Sequence, residues 1–172
     1  MRIIGANIIS SIGAVFLCLA TLEKDVKKIY LFQAFECLAL FLSQAILGQI
    51  AGALSMLFGI ARNLLIVKNK YSMPYALTFF ALTALFGIKF NTGGTVGLIP
   101  VIAALIYILT SKIARNVVFV KFALLLNLVL WVIYSFLIKD YVTFFVNLFC
   151  SIFSPQLNYS SAFLSFDESF TS

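Results

Sequence analysis

The chain predicts an all-α fold, a polytopic membrane bundle of seven transmembrane helices, and three observations predict it. Hydrophobic residues make up 63% of the 172 and charged residues 10%, against about 25% charged in a soluble domain. That is too few to cover a globular surface, so the predicted solvent is the lipid bilayer. In lipid the backbone must satisfy its own hydrogen bonds, by helices or a closed barrel. Barrel strands alternate apolar and polar residues, and the apolar runs of this chain do not. The third observation is the rhythm of the loops between those runs.

The first run, 3–22, follows Arg2 and ends at a charged loop, 23–28. It is long for the apolar region of a signal peptide and no small-x-small cleavage site follows it, so a retained helix is expected. The second run, 29–47, is separated from the third, 50–67, by Gly48 and Gln49 alone. Asn69 and Pro74 then mark a turn before the fourth run, 75–90. Gly93, Gly94 and Gly97 predict another turn, and the fifth run covers 96–111. A charged loop at 112–116 leads to the sixth run, 117–138. The two-residue loop Lys139-Asp140 leads to the seventh, 141–153, the shortest of the set.

Runs one to three are thus joined by a charged loop and then a two-residue loop, and runs five to seven repeat that order. The expected organisation is one transmembrane domain, 1–153, with three-helix units at 3–67 and 96–153, a linker helix at 75–90, and a disordered tail at 154–172. Three helices plus one reverse the chain twice, so the second unit inserts in the same sense as the first, a parallel repeat. Lysine and arginine fix the expected orientation. Lys24, Lys27, Lys28, Lys68, Lys70, Lys112 and Arg115 lie on one side, and Arg2, Lys89 and Lys139 on the other. The richer side is expected in the cytoplasm, with the N-terminus outside and the C-terminus inside. The net charge of +6 is explained by this bias without nucleic acid as a partner.

The chain has no histidine, and Cys18, Cys37 and Cys150 all fall inside apolar runs as small hydrophobes. No metal site, cofactor or catalytic set is expected, and enzymatic activity has no support in the sequence. Chemistry is carried instead by polar residues within the spans. At 100° per residue, Gln33, Glu36, Leu40, Ser43 and Gln44 share one stripe of the second run. Glu36 is the one acidic residue in a predicted span, and a carboxylate in hydrocarbon costs several kcal/mol unless it faces protein or water, or is protonated. Asn127, Trp131 and Tyr134 share a face of run six, and Asn147 lies in run seven. Gln33, Glu36, Gln44, Asn127, Trp131 and Asn147 are therefore candidates to line a path for a small polar solute. The same residues would also serve to brace helices against one another. Ser55 and Gly59, with Ala51, form a small-residue face suited to close helix packing. Pro100 is a candidate hinge. Arg62 is expected to pair with Glu36 or, in preference, to snorkel to the interface, and Lys121 to snorkel.

The Lys27-Lys28 loop end, Ala51-Gly52-Ala53, Ile60-Ala61-Arg62-Asn63-Leu64, Leu98-Ile99-Pro100-Val101-Ile102 and Leu130-Trp131-Val132-Ile133 resemble, in that order, the YgjV family of bacterial inner-membrane proteins. The resemblance covers roughly 5–153. That family is similar in layout to the SWEET and PQ-loop transporters, which implies a three-plus-one-plus-three bundle and a facilitative route for a sugar or metabolite. Family members tend to carry an asparagine near the middle of run three, where this chain has Phe58 and Gly59. Its counterpart in the second repeat, Asn147, is kept. The Pro155-Gln156 pair follows the last run, outside the position at which a PQ motif acts. The alternative function is a non-transporting scaffold or accessory subunit. The oligomeric state is left open.

The lysine bias makes a topological prediction. A C-terminal fluorescent reporter that matures only in the cytoplasm should glow in bacteria. An expressed but dark fusion would require an even number of crossings or the opposite orientation.

Overall fold

A computed structural model describes residues 2–48, 50–91, 94–113, 117–137 and 143–152. All regular structure among them is helical: α1 Arg2–Leu22, α2 Val26–Leu47, α3 Ile50–Val67, α4 Met73–Lys89, α5 Gly94–Gly97, α6 Ile99–Ile113, α7 Val117–Leu137 and α8 Thr143–Ile152. Five stretches are long and apolar enough to cross a membrane: most of α1, then α2, α3, the α5–α6 segment Gly94–Ile113, and α7. α4, with 17 residues, and α8 are shorter apolar helices. The 139–140 loop, Gly93, Arg115, the flanks of the seventh run and the tail with Pro155-Gln156 lie outside the described residues.

Local chemistry moves several boundaries from their predicted places. α2 begins at Val26, three residues before the apolar run, because the Asp25 carboxylate accepts from the N–H groups of Lys27 and Lys28 and caps the helix. Glu23 accepts from the N–H groups of Asp25 and Lys24, and those bonds hold its carboxyl below the ordinary glutamate pKa. α2 ends at Gly48, whose φ of 75° is the left-handed conformation that terminates helices at little cost to glycine. α4 starts at Met73, with Pro74 in its first turn, where a missing N–H breaks no helical bond. The glycine segment before the fifth run is a helical turn, α5, rather than an open turn. Leu98 then interrupts the helix and α6 resumes at Ile99. Pro100 sits in the first turn of α6, so the interruption falls just before it.

α1 packs on α2, α2 on α3, and α6 on α7, while α4 packs against both α3 and α6. α1 shows how the helices divide their surfaces. Ile4, Ile8, Ile12, Val15, Leu19 and Leu22 are exposed, a stripe at spacings of three and four. Ala6, Leu17 and Ala20 on the other side are buried. The exposed stripe is lipid-facing surface.

Between helices, small residues set the spacing, as expected where lipid supplies no hydrophobic drive for association. A Cβ on Gly13 would meet the Ala39 Cβ of α2 at 3.3 Å, and one on Gly59 would meet the Cys37 Sγ at 3.0 Å. Gly87 of α4 lies so close to Val101 of α6 that a Cβ there would stand 2.6 Å from a Val101 methyl. Phe58 of α3 packs against Phe79 and Phe86 of α4, at centroid distances of 6.4 and 5.9 Å. One buried cluster, including Leu17, Ile29, Tyr30, Tyr107, Leu124 and Cys150, sits toward the ends of α1, α6 and α8 and the starts of α2 and α7. Those are the ends carrying Lys24, Lys27, Lys28 and Lys112.

The Gly87–Val101 approach is directly testable. Gly87→Ala should destabilise the protein in detergent by about 1–3 kcal/mol through overpacking, and Val101→Ala should restore much of the loss. An unchanged melting temperature for Gly87→Ala would mean that α4 and α6 do not meet in this way.

Candidate functional site

A cavity of about 170 Å³ lies within the bundle, lined by residues of α1, α2, α3, α6, α7 and α8. A single water requires roughly 10–15 Å³ of such space, so there is room for a small solute. Gln33, Glu36, Gln44, Asn127, Trp131 and Asn147 all line it, as do Pro100, Ser55 and Gly59. The periodicity of α2 explains the largest share. Gln33, Glu36, Leu40, Ser43 and Gln44 form the stripe drawn from the sequence, and all five face this space. Asn127, Trp131 and Tyr134 form the facing wall from α7, with the Trp131 and Tyr134 rings edge-on at 5.6 Å. Asn147 enters from α8 and is 6% exposed. Ser55 donates to the Ala51 carbonyl at 3.0 Å and lines the space rather than a helix contact, while Gly59 makes the close approach to Cys37.

The side chains on the wall are partly bonded to one another. Ser43 donates to the Ala6 carbonyl at 3.1 Å, so the 2.8 Å contact between the Ser10 and Ser43 hydroxyls has Ser10 as donor. The Tyr107 hydroxyl donates to Gln33 Oε1 at 2.7 Å. Arg62 departs from its expected place. It is buried, and its Nε and Nη2 donate to Asn63 Oδ1 at 3.1 and 2.9 Å. Its guanidinium carbon stands 4.5 Å from the centre of the Tyr107 ring, within the range of a cation–π contact. Arg62 therefore points into the cavity wall and does not snorkel, because an amide oxygen and an aromatic face receive it inside the bundle. Lys121, also expected to snorkel, is 3% exposed and lies near Glu23 and Lys24 of the first loop, the end of the bundle toward which it was expected to reach.

Other polar atoms have no protein partner. Glu36 makes no hydrogen bond or ion pair among the described residues, although Arg62 lines the same cavity. Gln33 Nε2, Gln44 Oε1 and Ser135 Oγ are buried and unpartnered, and all three residues line the cavity. A buried donor or acceptor left unpaired costs about 1–3 kcal/mol, and these three face the cavity from α2 and α7.

A second cavity, of about 370 Å³, is lined by residues that include Gly48, Lys89, Asn91 and Gly97, and shares Gln44, Ser55, Pro100, Trp131 and Tyr134 with the first. It lies toward the ends of the helices opposite the lysine-rich loops. The two spaces adjoin across these shared residues. Toward the lysine-rich loops the buried cluster containing Tyr30 and Tyr107 fills the bundle.

Residues that the sequence reading passed over include Asn7, Ser10, Asn63 and Tyr107. Asn7, Ser10, Ala14 and Leu17 recur at three and four along one face of α1, a periodicity that would have found the first two. Tyr107 carried no such signal, since its role comes from contacts with α2 and α3. Cys18 and Cys150, free thiols on α1 and α8, meet at 3.3 Å between sulfurs.

The family model of Imp-YgjV, described as bacterial inner membrane protein, matches residues 4–156. No curated protein and no solved structure matches the chain.

The Tyr107–Gln33 bond supports the wall in a measurable way. Tyr107→Phe should cost about 1–3 kcal/mol in detergent unfolding by stranding Gln33 Oε1 while keeping the ring under Arg62. Tyr107→Leu, which loses both, should cost more. Equal stability of the two variants would remove the ring contact from the account.

Proposed function

The chain belongs to the Imp-YgjV family of bacterial inner membrane proteins, and from that premise we propose that it moves a small polar solute across the inner membrane through the cavity described above. The observation that carries this reading is the set of buried, unpartnered polar atoms of cavity-lining residues on α2 and α7: Gln33 Nε2, Gln44 Oε1 and Ser135 Oγ. A bundle that only needed bracing would pair such groups with each other, because each unpaired one is costly in low dielectric. Trp131 and Tyr134 add aromatic surface for the apolar side of a guest, and Asn127 and Asn147 add amides that both donate and accept.

The layout proposed is a parallel repeat, α1–α3 and α5–α8, with α4 between the halves. α4's packing on both α3 and α6 supports it. The lysine-rich ends would face the cytoplasm, so the cavity would communicate with the outside through the second space, and the buried cluster near Tyr30 and Tyr107 would be the closed inner gate. Alternating access would then require that cluster to part, with the break at Leu98 before Pro100 as one point of bending. A scaffold role is the second reading. The Ser10–Ser43 and Tyr107–Gln33 bonds favour it, since both tie helices together.

Transport is tested by reconstitution. Purified protein in liposomes should accelerate uptake of some member of a broad panel of labelled sugars, polyols and small metabolites, and Asn127→Ala should slow it at least tenfold without a matching loss of stability. A panel that shows nothing above empty liposomes, together with co-purification of one partner at fixed ratio, would replace this reading with the scaffold.

A further inference from the structure

Two ionisable side chains of opposite kind line the central cavity, the acid Glu36 from α2 and the base Arg62 from α3. Their placement follows from the packing of these two antiparallel helices. Gly52 lies against Gln44 and Gly59 against Cys37. That register sets Arg62 level with Ala34, about 3 Å along the axis from Glu36 at 1.5 Å per residue. Proximity of this kind normally ends in a salt bridge. Here no carboxylate–guanidinium contact forms within 4.0 Å. Arg62 is held away by Asn63 Oδ1, which takes an N–H from each of two nitrogens, and by the Tyr107 ring beneath it. A guanidinium has five N–H donors. Two go to Asn63, and three have no acceptor among the described residues. Gln33, 2% exposed, adds an unpartnered Nε2 donor to the same wall.

We propose that the solute is a small zwitterion, with its cationic group at the Glu36 carboxylate and its anionic group at the Arg62 guanidinium and the Gln33 amide. The inference rests on the cavity being a solute path. A neutral sugar would leave the guanidinium without a counter-charge inside the membrane, at a cost of several kcal/mol, and would offer the Glu36 carboxyl no cation to ionise against. A simple anion would answer Arg62 and leave Glu36 unused, and a simple cation would answer Glu36 and leave the guanidinium unmatched. A zwitterion compensates both and leaves the loaded site neutral. The planar fork of arginine suits a carboxylate in two-point contact. The Asn63 and Tyr107 contacts fix the guanidinium plane before any solute arrives, so little order is lost on binding. The cavity, at about 170 Å³, suits an amino acid with a short side chain, whose apolar part would meet Trp131.

Trp131 is the single tryptophan of the chain and lines the site, so its fluorescence reads binding directly. The full chain in detergent is titrated with glycine, alanine and 4-aminobutyrate, then with ethylamine, propionate and glucose, and the same labelled solutes are offered to proteoliposomes. At least one zwitterion should change the fluorescence saturably and enter above empty liposomes. Ethylamine and propionate should need at least tenfold higher concentrations. Glu36→Gln and Arg62→Gln should each raise the zwitterion's half-saturation at least tenfold. The ranking of analogues on the unaltered protein needs no variant, so a variant that fails to fold leaves the test standing. Uptake of glucose with no zwitterion would overturn this inference and keep transport. Equal binding of alanine, ethylamine and propionate would overturn the two-point contact. Absence of uptake for every solute, here and across the broader panel, would remove both readings.

Discussion

Hydrocarbon solvates neither an amide, a carboxylate nor a guanidinium, and the placement of such groups organises this molecule. Backbone groups are absorbed by helices, which is why regular structure among the described residues is helical. Side chains have no equivalent local remedy. α1 sends its isoleucines and leucines outward and turns Ser10 toward Ser43 of α2. α2 turns a whole stripe inward, from Gln33 to Gln44. Once these stripes face each other they hold polar surface at the centre. Aliphatic packing is left to the helix ends and to the glycine contacts at Gly13, Gly59 and Gly87.

The result is a molecule divided along its axis. Toward the lysine-rich loops the interior is filled by Leu17, Ile29, Tyr30, Leu124 and their neighbours. At the centre it holds the first cavity, which adjoins the second toward the opposite ends. The division has a simple origin in chain geometry. α1 and α2 are joined by a short loop capped through Asp25, so their lysine-side ends are held together. Tyr71 in the α3–α4 connection donates to the Ile108 carbonyl and accepts at its own carbonyl from Lys112, which ties that connection to α6 at the same end. The other end has Gly48 and the interrupted α5–α6 segment, where side chains are small and helical continuity is broken.

Much of this was legible in the sequence. Hydropathy gave the runs, since length and composition suffice when the solvent is lipid. The polar stripe of α2 was legible because a helix at 100° per residue turns spacing into direction. The start of α2 was misplaced because hydropathy sees apolar residues and not a cap, and Val26-Lys27-Lys28 reads as loop until Asp25 is recognised as its N-cap. The glycines before the fifth run read as a turn because glycine propensity is a local quantity, whereas the chain there forms the helical turn α5, separated from α6 by a single break at Leu98. Tyr107 was missed for the same reason in three dimensions. Its partners, Gln33 and Arg62, lie on other helices.

Arg62 shows where one-dimensional reasoning fails and why. It is five residues from the end of α3, about 7.5 Å at 1.5 Å per residue, so a long side chain can reach the interface and snorkelling is the economical choice in an isolated helix. The bundle alters that balance with two neutral groups. Asn63, next in the chain, presents an oxygen to the guanidinium edge, and Tyr107 presents a ring to its face. Neither group is charged, so neither neutralises Arg62, and the charge is delivered intact to the cavity wall. An acidic partner in place of Asn63 would have produced an internal salt bridge and a silent site. The choice of an amide there orients the cation without quenching it.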